Sequence, residues 1–145
     1  MPDYPHFTLK ELVASETAAR RRIDNTPSFG VVEHLSELTE KILEPLRAAW
    51  GGPIRVTSGY RCDKLNRAVG GAASSAHLRG DAADLQPCDG RTDEFIAFTR
   101  EWFLRTGTRF DQLLLESKGK ERWVHIGLYS STGSQRGEVK TMEVK

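Results

Sequence analysis

Polar and apolar positions follow a helical period in the first third of the chain and a mixture of helix and strand periods after it. Phe7-Thr8-Leu9-Lys10-Glu11-Leu12 reads as a helix start. Thr8 can accept from the free N–H groups of the first turn, Glu11 can complete a capping box, and Phe7 can pack back onto Leu12. The pattern predicts a helix from there to about Arg22, broken by Asp24-Asn25-Thr26-Pro27. A longer helix is predicted over Val31 to Trp50, where Leu35, Leu38, Ile42, Leu46 and Ala49 form one apolar stripe. Pro45 lies inside it and predicts a kink, because its missing N–H breaks the hydrogen-bond ladder. Gly51-Gly52-Pro53 ends it.

Beyond that point the pattern shortens. Ile54-Arg55-Val56-Thr57 reads as a strand left by a turn at Ser58-Gly59-Tyr60-Arg61, and Asp63 to Val69 as a short helix before Gly70-Gly71. Another helix is expected from Thr92, with Asp93 and Glu94 favouring its N-terminus and Phe95, Ile96, Thr99, Trp102 and Phe103 facing inward. Gln112 to Glu116 and Trp123 to Leu128 predict a hairpin around Lys118-Gly119-Lys120. Val139 to Val144 reads either as an added edge strand or as a loose end. The order of elements points to α+β, a small antiparallel sheet with the N-terminal helices packed against it.

Composition narrows the options. The chain has 145 residues, which suits a single domain spanning 1–145, with a helical part at about 7–50 and a core part at about 54–129. Its 21 basic and 20 acidic residues leave a net charge of +1, which argues against a general nucleic-acid or anionic-membrane binder. No apolar run approaches the roughly 20 residues of a membrane span. The start, Met1-Pro2-Asp3-Tyr4-Pro5, lacks the pattern of a secretory signal, so synthesis in the cytoplasm is expected. Cys62 and Cys88 set no disulfide framework and are expected as free thiols.

The candidate chemistry lies in Ser75-Ala76-His77-Leu78-Arg79-Gly80-Asp81-Ala82-Ala83-Asp84, taken with Trp123-Val124-His125. His77, Asp84 and His125 offer two imidazoles and a carboxylate, a ligand set that zinc accepts while leaving a fourth position open for water. The helical HExxH pattern is absent. Small residues Gly80, Ala82 and Ala83 instead suit a tight passage from a loop into a buried strand carrying Asp84. His6 and His34 are read as ordinary histidines, one in the leader and one on a helix face.

Ser58-Gly59-Tyr60-Arg61, the Ser75-x-His77-x-x-Gly80-x-Ala82-x-Asp84 run and Trp123-x-His125 resemble the zinc D-alanyl-D-alanine peptidases. That group includes D,D-carboxypeptidases, D-Ala-D-Ala dipeptidases and phage endolysins, and it shares its fold with the hedgehog signalling domain. The resemblance runs from about Phe7 to Tyr129 and is strongest to compact phage-type members. It implies one zinc per chain, held by His77, Asp84 and His125, and a catalytic carboxylate. Many members carry an acid three positions before the last histidine, where this chain has Arg122. Glu116 is the favoured replacement and Glu121 the alternative. Such a carboxylate can take a proton from water and return it to the leaving amine. Arg61 is the expected substrate-binding cation, or else a structural cap of its turn, and Ser75 either touches substrate or shapes the loop. Tyr60 and Trp123 are expected to pack around the site.

The expected function is therefore zinc-dependent hydrolysis of peptidoglycan stem peptides by a monomer that acts on the cell wall after release, as an endopeptidase or a D,D-carboxypeptidase. The rivals are a cytoplasmic D-Ala-D-Ala dipeptidase, a non-catalytic zinc-containing binding module, and a virion structural protein carrying this domain.

Overall fold

The computed structural model describes residues 1–145 as an α+β fold. Helix α1 (Leu9–Val13) starts where the capping pattern placed it. Thr8 Oγ1 accepts from the Glu11 N–H at 3.2 Å, and the Glu11 carboxylate takes backbone hydrogen bonds from Thr8 and Val56. The helix does not continue to Arg22. It stops at Ala14, and Ser15 caps a separate helix, α2 (Glu16–Arg21), by accepting from the Ala18 N–H at 3.1 Å. A serine hydroxyl that satisfies a free N–H competes with helix continuation, and here it wins.

The long second helix runs through α3 (Phe29–Leu38), a wide π turn over Thr39–Leu43, and α4 (Glu44–Trp50). Immediately before Pro45, where a kink was predicted, the hydrogen-bond ladder widens: the Glu44 N–H reaches back to the Thr39 carbonyl. The extra residue in that turn rotates the following face. Leu43 and Leu46 are fully buried and Trp50 packs against the core, whereas Ala49, predicted inward, is exposed.

Five strands follow, interleaved with helices α5 (Asp63–Ala68) and α6 (Thr92–Thr106). They are β1 (Ile54–Ser58), β2 (Ala82–Pro87), β3 (Gln112–Lys118), β4 (Glu121–Gly127) and β5 (Glu138–Glu143), in the order β1-β2-β4-β3-β5. The first four pair antiparallel, and β5 joins the free edge of β3 in parallel. Of the two readings of the C-terminal segment, the structure shows the edge strand.

Alternation along the strands then sorts the residues by face. Ala83, Leu85, Leu113, Val124 and Ile126 enter a core of 17 buried residues, together with Leu12, Leu35, Ile42 and Phe95 from the helices. Asp84, Leu114, Glu116 and His125 project from the other face. No helix is long and apolar enough to cross a membrane.

Candidate active site

His77 sits in a single 3-10 turn, Ala76–Arg79, between α5 and β2. Ser75 caps this turn, its Oγ accepting from the His77 N–H at 3.2 Å, and Gly80 closes it at φ 76°. Asp84 on β2 and His125 on β4 are directly paired in register. These short-range features deliver three donors to one point. His77 Nε2 lies 3.2 Å and His125 Nδ1 2.9 Å from Asp84 Oδ1, and the three donor atoms all lie within 4.8 Å of one another. All three residues are buried.

The donor set fits zinc by its own chemistry. His77 Nδ1 is 2.7 Å from the Gly59 carbonyl oxygen, which can only accept. Nδ1 therefore carries the proton, and the Nε2 lone pair is free for a metal, the orienting arrangement that histidine ligands require. With no metal bound, burial alone would raise the Asp84 pKa, but the charge of a His77 ring that also carries a proton on Nε2, and hydrogen bonds from both imidazoles, outweigh it and hold the carboxyl below its usual range; a metal would take the place of that Nε2 proton. Burial likewise pushes the His125 pKa down, and the Asp84 hydrogen bond, with the charges of Asp84 and Glu116, reverses that and raises it.

The Ser58–Arg61 turn is held from outside the sheet. Tyr60 N–H donates to the Leu12 carbonyl at 2.8 Å, and a Cβ at position 59 would meet that oxygen at 2.0 Å. Only glycine permits this approach, which aims the Gly59 carbonyl at His77. Asn25 ties the same region together: its Nδ2 donates to Val13 and Tyr60 carbonyls at 2.9 and 3.0 Å, and its Oδ1 accepts from the Cys62 N–H at 2.8 Å.

Glu116 is the carboxylate that the fold brings to the cluster. It pairs in register with Trp123, two residues from His125, and its Oε1 lies 3.9 Å from His125 Nδ1. The Trp123 indole donates to the same Oε1 at 2.9 Å, so Trp123 anchors the carboxylate as well as packing beside it. Glu121 pairs with Lys118 at the exposed end of the hairpin, four residues or about 13 Å of strand from His125. Arg122 pairs with Asp93 at the start of α6.

Arg61 lies on the cleft wall. Its Nε donates to Asn66 Oδ1 at 3.1 Å, Nη1 to Ser58 Oγ at 3.2 Å and Nη2 to Ser75 Oγ at 3.4 Å. All three partners are neutral. Burial draws its pKa below the usual guanidinium value, opposed by the charges of Asp84 and Glu116, and the group stays cationic. The surrounding cleft has a volume of about 820 Å³ and is bordered by the Val69–Ala76 loop on one side and by Ser130, Arg136, Lys140 and Met142 on the other.

The remaining candidates have structural partners. His6 Nδ1 contacts Glu44 at 2.8 Å, and His34 Nδ1 lies 2.8 Å from the Arg79 carbonyl and 3.2 Å from Asp81. Cys62 and Cys88 are unbonded, and Cys62 Sγ caps α5 by accepting from the Leu65 N–H at 3.4 Å. Scanning for titratable side chains finds His77, Asp84, His125 and Glu116. It passes over the Gly59 carbonyl, Asn25, Asn66 and the Trp123 indole, whose roles depend on contacts formed only in three dimensions.

A buried His-Asp-His cluster beside a carboxylate, open to a cleft, is the layout that hydrolytic metal enzymes use. The Peptidase M15 profile matches residues 5–127, and the chain belongs to that family of zinc-dependent peptidases. No curated protein matches the chain.

Proposed function

We propose that this protein hydrolyses peptide bonds within the stem peptides of bacterial peptidoglycan, acting as a zinc endopeptidase on the wall after release from the cell. The observation that carries this reading is the convergence of His77, Asp84, His125 and Glu116 on one wall of an open cleft. His77, Asp84 and His125 would hold one zinc ion, which when bound supplies Lewis acidity toward water and a peptide carbonyl.

The chain's own residues do the rest. Trp123 occupies Glu116 Oε1 and leaves Oε2 free to take a proton from the attacking water and to return it to the leaving amine. Arg61, with two of its five N–H groups uncommitted, offers a charged donor to the scissile carbonyl or a substrate carboxylate. Ser75 borders the same wall beside it. A cleft of about 820 Å³ suits a ligand much larger than a dipeptide, which favours internal cleavage over a dipeptidase.

The test is a digest of purified peptidoglycan followed by mass spectrometry. Zinc-loaded protein should release fragments with new internal termini, and chelator should stop the release. An unchanged digest overturns the reading. Free D-Ala from uncrosslinked pentapeptide as the main product replaces internal cleavage with carboxypeptidase action.

A further inference from the structure

Asn66 on α5 is 2% exposed, and every polar group of its side chain is used. Its Oδ1 accepts from Arg61 Nε at 3.1 Å, and its Nδ2 donates to the Ala72 carbonyl at 2.9 Å. Its backbone carbonyl accepts from the Gly71 N–H at 2.9 Å, and a Cβ at Gly71 would meet Asn66 Oδ1 at 2.0 Å. One buried amide is thus clamped between the cleft cation and the Gly70–Ala72 loop that forms the cleft rim.

The geometry points to Asn66 as a positioning residue that fixes the Arg61 guanidinium, and with it the substrate-facing N–H groups, against the cleft wall. This role rests on the proposed peptidase reading. Arginine carries several rotatable bonds, and an unanchored side chain would sample many rotamers before meeting a substrate oxygen. Among the Arg61 partners, Ser75 is long at 3.4 Å and also serves the His77 N–H, and Ser58 holds only Nη1. Asn66 is the one that grips Nε and sets the plane of the fork. Its neutrality matters too. An aspartate in the same place would hold the guanidinium but cancel the charge that the substrate needs. Asn66 also couples Arg61 to the rim, so the cation and the loop keep one relative placement.

The experiment compares Asn66→Ala, Arg61→Ala and the double variant, all zinc-loaded, with Asn66→Ser as the milder change if Asn66→Ala fails to fold. Asn66→Ala should lower kcat/KM on a soluble muropeptide by about tenfold or more, the size expected for a lost hydrogen bond to a charged group. It should cost nothing further in the Arg61→Ala background, because it acts through Arg61. In ¹⁵N-labelled protein, the Arg61 Nε–H resonance, identified by its absence in Arg61→Ala, should move to the solvent-exposed arginine position in Asn66→Ala or Asn66→Ser. Additive losses in the double variant, or an unmoved Nε–H resonance, would overturn the assignment. A wild type with no hydrolytic activity sinks the functional reading instead, and the resonance alone then decides whether Asn66 positions Arg61.

Discussion

Replacing Gly59 by alanine tests whether the helical part of the chain sets the geometry of the His77-Asp84-His125 cluster. The new Cβ would lie 2.0 Å from the Leu12 oxygen and 2.9 Å from its carbonyl carbon, both backbone atoms, so no side chain can swing aside. Relief requires the two segments to separate by more than about 1 Å, since ordinary van der Waals contact begins near 3.4 Å. That separation breaks the Tyr60 N–H bond to Leu12, worth about 1 kcal/mol, and adds packing strain of about 1–3 kcal/mol. The expected loss of stability is about 2–4 kcal/mol by urea denaturation of the metal-free protein. The same shift pulls the Gly59 carbonyl away from His77 Nδ1, which predicts a fall of about 10–100-fold in zinc affinity, measured by chelator competition. Gly30→Ala is the control: it sits in α3 with nothing within 4 Å, and it should stabilise by up to about 1 kcal/mol. Stability within about 0.5 kcal/mol of wild type together with unchanged zinc affinity in Gly59→Ala would refute the reasoning.

Other outcomes follow from the same contacts. Glu116→Gln should retain fold and zinc but lose about 10²–10⁴-fold in kcat, whereas Glu121→Gln should remain near wild type; the reverse pattern in steady-state assays would move the proton-transfer role to Glu121. Removing zinc should abolish hydrolysis, and restoring it to about 100 times its Kd should stabilise the fold by about 2.7 kcal/mol, read as a rise in Tm that a His77→Ala variant does not show. Asp111 is buried, and its hydrogen bond from Arg136 lowers its pKa more than burial raises it. It therefore contributes stability above the unfolded carboxyl value, lost as pH falls through the lower folded value. Because Arg136 is half exposed, Asp111→Asn should cost only about 1 kcal/mol at pH 7, and less at pH 2; equal costs at both would remove the ion pair from the account.

The convergence of His77, Asp84 and His125 was legible because their spacing encodes local geometry. A histidine, a run of small residues and an aspartate suit a turn from a loop into a strand, and strand pairing then brings in His125. Glu116 was favoured over Glu121 on the family resemblance together with the predicted hairpin, and the structure sets Glu116 opposite Trp123 and Glu121 opposite Lys118. The helices were less legible at their joints. Apolar periodicity carried through Ala14 and Ser15 because nothing in it registers a competing cap, and a proline signals a break without specifying a π turn. The parallel pairing of β5 was open because Glu138-Val139-Lys140-Thr141-Met142-Glu143 is mostly exposed and its alternation is weak.

What the sequence could not reveal is mainly the support behind the ligands. Asp84 and His125 stand on adjacent strands and would face each other in any sheet with this register. His77 has no such guarantee, since it hangs on one 3-10 turn between two loops. Its orientation comes from the Gly59 carbonyl, which is held by Leu12 of α1 and, through Tyr60 and Cys62, by Asn25. From the other side, His34 of α3 reaches the Arg79 carbonyl and Asp81, immediately beside that turn. The N-terminal helices are therefore part of the active-site scaffold as well as its hydrophobic cover. A ligand on a loop becomes as well placed as one on a strand only when its supporting shell is rigid, and in this chain that shell is drawn from residues 12 to 34.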